Sequence, residues 1–408
     1  MGRVTSDLVR WRNAVFVLFF VAGLGLASWV SRIPTVRDDL VLRTDQVGLL
    51  IFGLSAGSVL GLICAVWLMS TFGTRRALVV GIATSSAGLV LVGIAASVWA
   101  STPLAFAALI LVGFGMGSTD VMMNVEGAAV ERELGVTLMP LLHACFSLGT
   151  VVGALLGAGA AGLPLTVGWH LAVIAALALA AAGLAVRSIP LRPALGDPGD
   201  SEEHTLVRPR WHQRMRTSLA VWRDPSILLI GVIVLGMTFA EGSASDWLAL
   251  AVVDGHGQSD ATGALIFGVF VSAMTVGRVL GGPVLDRFGR VPVLRVCALL
   301  GAVGLLCVIL SPTVWLLIVG TVLWGLGASL GFPVGMSAAA DDTRNAAARV
   351  SAVAMIGYFA FLVGPPVLGL IGEHWGILTA LYLIVALMAL AGLAAPAARE
   401  RTTTAVAG

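Results

Sequence analysis

The sequence predicts an all-α membrane protein of twelve transmembrane helices in two six-helix halves, and three observations predict it. The composition is strongly apolar, twelve apolar runs are long enough to cross a bilayer, and a short motif repeats after 216 residues, from Gly73 to Gly289. The chain is 58% hydrophobic and 11% charged, whereas soluble domains carry about 25% charged residues. The composition therefore excludes a soluble enzyme, a nucleic-acid-binding protein and a disordered chain.

Twelve apolar runs, called spans 1 to 12 here, follow one another along the chain. The first comes after three arginines, as in a signal peptide, but it is too long for one and we interpret it as span 1. The spans begin at about Ala14, Val47, Leu78, Leu104, Met139, Leu171, Ile227, Gly263, Val293, Val314, Ser351 and Gly376.

The arginines indicate the orientation. All 24 basic residues are arginine, and 20 of them lie in segments that share one side of the membrane if the spans alternate in direction. Only Arg32, Arg37 and Arg43 lie on the opposite side, and Arg278 lies within span 8. Because basic residues are enriched in cytoplasmic loops, the prediction is that both termini are cytoplasmic.

A long polar loop divides the chain into two halves. We predict an N-terminal six-helix bundle over residues 1–187, a cytoplasmic linker over 188–222 and a C-terminal six-helix bundle over 223–408. The repeated motif is Met69–Arg76 after span 2 and Leu285–Arg290 after span 8. Two parallel halves of this kind are typical of transporters in which one bundle rocks against the other.

The motif Gly282-x-x-x-Asp286-Arg287-x-Gly289-Arg290 resembles the loop 8–9 signature of the major facilitator superfamily, although Ser70 replaces the usual aspartate in the first copy. The resemblance covers the whole chain and implies the fold of that family. The pattern Gly115-x-Gly117-x-x-Asp120-x-x-x-Asn124 in span 4 is similar to the fucose-permease branch, where a carboxylate at this place assists proton coupling.

Two further segments, Ser28–Pro34 and Ala240–Trp247, resemble uncharacterised bacterial members of that neighbourhood, which implies a bacterial cytoplasmic (inner) membrane as the location. The chain departs from the fucose permease at Val30, where that protein has a carboxylate. This difference argues against fucose itself as the substrate.

Charged side chains inside spans are the first candidates for a site, because they are costly in a bilayer and normally face an aqueous cavity. Asp120 in span 4 and His143 in span 5 have similar predicted depths, and Asn124 lies one turn beyond Asp120. A carboxylate beside an imidazole can transfer a proton near neutral pH. Proton coupling and a structural hydrogen bond between helices both remain open for this pair.

Glu241 lies near the middle of span 7, on the same predicted face as Thr238 and Ser245. In a low-dielectric site it is a second candidate proton carrier or an acceptor for sugar hydroxyls. The alternative is a hydrogen bond that stabilises the backbone beside Gly242.

Arg32 and Asp246 lie in the outer parts of spans 1 and 7, which are corresponding spans in the two halves. We expect them to form an external gate when the outer mouth closes. Two alternatives remain open: Arg32 binds a substrate carboxylate or phosphate, or it extends to the lipid headgroups.

Further candidates fall into two groups. We expect Arg278, Asp286, Arg287 and Arg290 at the inner end of span 8 to serve gating, and the family resemblance implies that Asp286 docks onto the N-terminal end of span 5. Trp29, Trp324 and Tyr358 are candidates for stacking on a sugar, although tryptophan near the end of a span also belongs to the interfacial belt.

The prediction is a proton-coupled secondary transporter, favouring symport of a sugar or a related small polar solute. A proton-driven exporter of drug-like compounds and a non-transporting receptor on a transporter fold remain alternatives. No phosphate-binding Gly-x-x-x-x-Gly-Lys loop occurs, since the chain has no lysine. We expect no enzymatic activity, cofactor, metal or nucleic acid, and the expected partners are a small-molecule substrate, protons and membrane lipids around a monomer.

Overall fold

A computed structural model describes residues 6–135, 138–163, 165–190, 221–341 and 346–399. Within these ranges every regular element is a helix. The predicted linker over 188–222 lies largely outside the described residues. The division into bundles over 1–187 and 223–408 therefore stays a prediction.

The helices of the two halves succeed one another with short connections. The first half contains α1 (Ser6–Val30), α2 (Ile33–Asp39), α3 (Thr44–Ile94), α4 (Thr102–Leu134), α5 (Met139–Gly162) and α6 (Val167–Ala185). The second half contains α7 (Pro225–Ser243), α8 (Asp260–Phe288), α9 (Arg290–Ile309), α10 (Val314–Ala328), α11 (Gly331–Ala340), α12 (Ala346–Trp375), α13 (Ile377–Ala380) and α14 (Tyr382–Ala394).

Eleven segments of the described chain are long and apolar enough to cross a membrane. One of them, Thr44–Trp99, has 56 residues. Non-helical backbone at Gly73 divides it into two helices, each longer than the hydrocarbon thickness of about 30 Å at 1.5 Å per residue. Spans 2 and 3 were both predicted in this segment. The count of twelve and the side of the termini nevertheless stay predictions.

The two copies of the repeated motif share one backbone geometry. Gly73 interrupts α3 with φ 72° and ψ 152°, and Gly289 separates α8 from α9 with φ 76° and ψ 165°. Residues with a Cβ rarely adopt this region, so glycine permits the turn at both places. The sequence repeat therefore corresponds to the same backbone turn in both halves of the structure.

Contacts divide the described residues into two compact units. Unit 1 contains the described residues up to 190 together with Ser245–Val271 and Pro365–Ile377. Unit 2 contains the described residues of 221–244, 272–364 and 378–399. The segment that follows α7, the beginning of α8 and the end of α12 thus belong with the first half.

Inside unit 1, α5 packs against α1 along three glycines. A Cβ added at Gly149 would lie 2.1 Å from the Phe20 carbonyl oxygen, and one at Gly153 would lie 2.6 Å from the Leu24 carbonyl oxygen. At Gly157 it would lie 1.8 Å from Ser31 Oγ. Such close approach is typical of small-residue faces between membrane helices.

Candidate functional site

Unit 2 contains an ion pair inside two membrane spans. Arg278 Nη2 of α8 donates to Glu241 Oε1 of α7 at 2.7 Å, and Arg278 Nε donates to the Ser329 carbonyl oxygen at 3.4 Å. Glu241 lies roughly 24 Å from the Pro225 end of α7, and Arg278 lies roughly 15 Å from the Phe288 end of α8. Both charges therefore lie well inside apolar helices.

The ion pair is only partly covered by protein. The Glu241 side chain is 19% exposed and the Arg278 side chain is 36% exposed. Charged groups at this depth are rarely tolerated against lipid, so we expect the exposed parts of both side chains to face water. The sequence pointed to both residues, as a proton carrier and as a gating residue, but it did not predict that they pair.

Beyond Ser243 the chain departs from α-helical geometry. Residues Ala244–Leu248 and Ala251–Gly255 form two short π-helical turns. Single π-helical turns occur frequently at functional sites, because they change the direction in which the following side chains point. The half-buried Ser245 and Asp246 lie in the first turn and Asp254 lies in the second.

On α4 of unit 1, Asp120 and Asn124 form a local pair. Asn124 Nδ2 donates to the Asp120 carbonyl oxygen at 2.8 Å and to Asp120 Oδ1 at 3.3 Å, and the Asp120 side chain is exposed. His143 of α5 packs edge-on against the Phe19 ring, with 5.3 Å between ring centroids. These partners differ from the predicted contact of Asp120 with His143, which stays a prediction.

The candidate aromatic residues have different environments. Trp29 and Trp324 are almost completely buried by protein, whereas Tyr358 is exposed. A sugar could stack on Tyr358 in this conformation, but it could reach either tryptophan only after a rearrangement.

The candidate gating residues at the end of α8 lie at a surface of unit 2. Asp286 and Arg287 are exposed, and the Arg287 guanidinium lies over the Phe288 ring, 5.4 Å from its centroid. Arg290 donates to Asp341 at 2.5 Å and to Ser337 at 2.9 Å, which joins the start of α9 to the end of α11.

A cluster of polar contacts in unit 1 joins residues of both sequence halves, and we call it the gate cluster. Arg37 binds Asp254 through both terminal nitrogens, with Nη2 2.6 Å from Asp254 Oδ1. Thr35 Oγ1 donates to Asp260 Oδ2 at 2.5 Å. The gate cluster consists of Thr35, Arg37, Asp38, Arg43, Thr44, Asp254, Asp260 and Glu373.

The contacts to Glu373 lie at the margin of the gate cluster. The Thr44 backbone N–H donates to Glu373 Oε2 at 2.8 Å, whereas Arg43 Nε lies 3.7 Å from Glu373 Oε1. Arg43 also binds its neighbour Asp45 at 2.7 Å. The end of α12 is thereby held against the beginning of α3.

The backbone around α2 holds Arg37 in place. The Leu42 N–H donates to the Arg37 carbonyl oxygen at 2.9 Å, which closes a tight turn after the helix. Within this turn Val41 has φ 53°, an unusual value for a β-branched residue. The surrounding hydrogen bonds therefore hold a backbone conformation that valine does not favour.

Electrostatics distinguish Arg37 from Arg32. Burial lowers the pKa of Arg37, but the hydrogen bond and the charge of Asp254 outweigh burial and raise it overall. Burial lowers the pKa of Arg32, and the charges of Asp260 and Asp39 offset only part of this effect. Asp254 is therefore a strong partner for Arg37.

Arg32 is buried and donates from Nη2 to the Leu165 carbonyl oxygen at 2.9 Å. The predicted gate of Arg32 with Asp246 stays a prediction, and the ion pair found in this region joins Arg37 to Asp254 instead. The signal for it was visible in the sequence: three arginines share one predicted outer loop, where basic residues are disfavoured.

Two other contacts were not predicted. Trp11 Nε1 donates to Glu126 Oε2 at 2.9 Å, and both residues are buried. Glu131 Oε2 accepts the backbone N–H groups of Leu138 and Met139, at 2.6 Å and 2.8 Å, at the start of α5. A carboxylate at a helix N-terminus is favoured by the helix dipole.

Paired charges inside apolar spans, together with a turn repeated in both halves, define a multi-span membrane transporter. The family model of the Major Facilitator Superfamily matches residues 15–281 and 247–406. The chain belongs to this superfamily. An uncharacterized MFS-type transporter of Yersinia pestis is 31% identical over 357 residues, which are 87% of each chain.

Solved structures share the fold at low sequence identity. A variant of the nucleoside transporter NupG superposes with a TM-score of 0.78 at 14% identity, covering 95% of this chain and 99% of that one. The Escherichia coli fucose:proton symporter FucP superposes with a TM-score of 0.62 at 15% identity, covering 97% of this chain and 100% of that one. At these identities the likeness concerns the fold alone.

Proposed function

We propose that this transporter moves a small polar solute, favouring a sugar or a related compound, by proton-coupled alternating access. The ion pair between Glu241 and Arg278 carries the proposal, because a paired carboxylate and guanidinium deep in two spans and only partly covered by protein can exchange partners. The fucose:proton symporter, similar in fold, uses a solute and an ion of these classes according to its name.

Protonation changes the ion pair in a defined way. A proton on the Glu241 carboxylate removes its charge and weakens the bond to Arg278, which cannot lose its own proton. The freed guanidinium can then donate to oxygen atoms of a solute. Release of the proton restores the ion pair and displaces the solute, so proton and solute move together.

Asp120 supports the proposal as a second acid. Its side chain is exposed on α4, and Asn124 donates to it from the next turn. Asn124 can instead donate to a solute when Asp120 is protonated. We propose the exposed Tyr358, and Ser245 four residues after Glu241, as further solute contacts, with Trp29 and Trp324 acting only after rearrangement. We propose His143 as a further proton-coupling residue.

The test is proton movement in proteoliposomes under a pH gradient. A pH-sensitive dye inside reports proton flux as sugars, polyols, sugar acids and cationic drugs are added in turn. A solute that triggers flux in the unmodified protein should trigger about a hundredfold less in Glu241→Gln, the lower end of the loss typical for a proton-transfer group. Glu133→Gln, which changes an exposed glutamate at the end of α4, is the matched control.

Asp120→Asn tests the second acid in the same assay. Coupled flux that survives in Glu241→Gln but not in Asp120→Asn would move the proton site to α4. Coupled flux that survives in both variants would contradict proton coupling at these residues. Flux triggered only by cationic drugs would favour the exporter.

Topology and assembly are proposed from the sequence. We propose twelve spans in two bundles over 1–187 and 223–408, cytoplasmic termini, an inner-membrane location and a monomer among lipids. Cysteine labelling at residues 7 and 402 from each side of the membrane tests the orientation, since both positions should react only from the cytoplasm.

A further inference from the structure

The two aspartates that contact Arg37 occupy the same place in the two halves of the sequence. Asp38 and Asp254 are 216 residues apart, the separation that also relates Gly73 to Gly289. Val253 stands where the second half would have a counterpart of Arg37. The repeat therefore places two acids around one arginine.

The two contacts of Arg37 differ in strength. Both terminal nitrogens of Arg37 bind the Asp254 carboxylate, a bidentate arrangement that is among the strongest for an ion pair. Arg37 Nε lies 2.6 Å from Asp38 Oδ1. The Arg37 and Asp254 side chains are 19% and 25% exposed, whereas Asp38 is 58% exposed. Asp254 is thus the shielded partner and Asp38 the solvated one.

The two aspartates also differ in what they join. Asp38 follows Arg37 directly on α2, so the two stay together whatever the rest of the chain does. Asp254 lies in the π turn after α7, on the other half of the sequence. Of the two contacts of Arg37, only the bond to Asp254 joins the two halves of the sequence. When this end of the transporter opens, that bond has to break together with the bonds of Thr35 to Asp260 and of Thr44 to Glu373, whereas the contact with Asp38 is kept.

We propose that Arg37 and Asp254 form a gate and that Asp38 is its release partner, so that the two aspartates act in opposite directions. Asp254 holds the gate closed. Asp38 weakens closure, because it competes for the guanidinium and repels Asp254. Once the gate opens, Asp38 still lies beside Arg37. The positive charge of Arg37 on α2 therefore stays compensated in the open state.

The proposal predicts effects of opposite sign for two similar substitutions. Asp254→Asn removes the partner that closes the gate and shifts the protein toward the open state. Asp38→Asn leaves Asp254 as the sole counter-charge of Arg37 and shifts the protein toward the closed state. Each shift should be about tenfold, the size of the coupling within a contacting charged pair. These signs do not depend on the transported solute or ion.

The assay measures how quickly a buried reporter reacts. Ser28 of α1 is fully buried in unit 1, seven residues before Thr35, and Ser28→Cys supplies the reporter. The native cysteines Cys64, Cys145, Cys297 and Cys307 are changed to alanine. A membrane-impermeant maleimide is added to right-side-out and to inverted vesicles, so labelling is measured from both sides.

Labelling from the side that the 31–43 segment faces should be about tenfold faster in Asp254→Asn and about tenfold slower in Asp38→Asn. Asp254→Ser is a second variant with the same expected sign in case the asparagine variant fails to fold. Asp39→Asn makes the same chemical change at an exposed aspartate of α2 outside the gate cluster, so it is the matched control and should change the rate less than twofold.

A double variant tests the competition itself. In the Asp254→Asn background, Asp38 has no second carboxylate to compete with, so Asp38→Asn should no longer slow labelling. Persistence of the Asp38→Asn effect in that background would overturn the release role. Rates that change in the same direction in both single variants, or that match Asp39→Asn, would overturn the gate.

Discussion

The pairing of Glu241 with Arg278 predicts a measurable coupling in stability. Glu241→Gln keeps the shape of the side chain and removes its charge, which leaves Arg278 without its carboxylate inside a span. Arg278→Gln removes the opposite charge.

The size of the coupling follows from the geometry. Two unit charges 2.7 Å apart attract each other by about 6 kcal/mol at an effective dielectric constant of about 20. Desolvation and solvent screening offset most of this attraction, because Arg278 is 36% exposed. Exposed ion pairs contribute about 0–1 kcal/mol and breaking a buried one costs about 3–5 kcal/mol, so we expect a coupling of about 1–3 kcal/mol here.

Thermal unfolding of the purified protein in detergent measures this coupling. At about 2–4 °C per kcal/mol, Glu241→Gln should lower the Tm by roughly 2–12 °C. The double variant should be more stable than the sum of the two single losses predicts, because neither charge is then left alone. Additive losses would refute the pairing, and Glu133→Gln controls for removal of an exposed carboxylate.

Two other contacts predict stability effects. Gly149→Ala should lower the free energy of unfolding by about 1–3 kcal/mol, because its Cβ would lie 2.1 Å from the Phe20 carbonyl oxygen. Gly159→Ala has no atom within 4 Å of the added carbon and should be neutral or stabilising. Equal Tm values for these two variants would contradict close packing of α1 on α5. Trp11→Phe should lower the free energy of unfolding by about 1–2 kcal/mol, because it removes the indole donor to the buried Glu126. An unchanged Tm would show that this hydrogen bond does not stabilise the fold.

Apolar runs located the helices well. The predicted starts at Met139 and Val314 coincide with α5 and α10, and most others lie within a few residues of a helix start. The predicted start at Leu78 lies inside α3, five residues after the interruption at Gly73. Among the runs that match a helix start, the largest difference is at α1, which begins at Ser6 instead of Ala14. Polar and charged residues in the first turns continue the helix into the headgroup region, where an apolar criterion cannot detect them.

The candidate residues inside the spans could be found because a charge in an apolar run is visible without any structure. Their partners could not be found in this way. Glu241 and Arg278 are 37 residues apart on consecutive helices, and helix rotation decides whether they face each other. Rotation depends on packing at every contact along both helices, such as the glycines of α1 and α5 in unit 1.

The gate cluster shows most clearly that the sequence does not predict which charged residues form ion pairs. The sequence places the arginines of this cluster in an outer loop and predicts a gate only for Arg32. The structure joins Arg37 to Asp254 instead, and these two residues are 217 residues apart in the chain. Arg32 is five residues from Arg37, yet it is directed to the Leu165 carbonyl oxygen. The turns that bound the seven-residue α2 set these directions.

The sequence by itself determined the apolar helices, the repeated turn and the superfamily, because each depends on composition or on residues close together in the chain. Only the tertiary structure decided which charges meet. Ion pairs form over distances of a few ångströms, so their partners depend on how distant helices are rotated and how tightly they pack. The bond of Arg278 to Glu241, and the choice of Arg37 over Arg32 as partner of Asp254, were settled at that level.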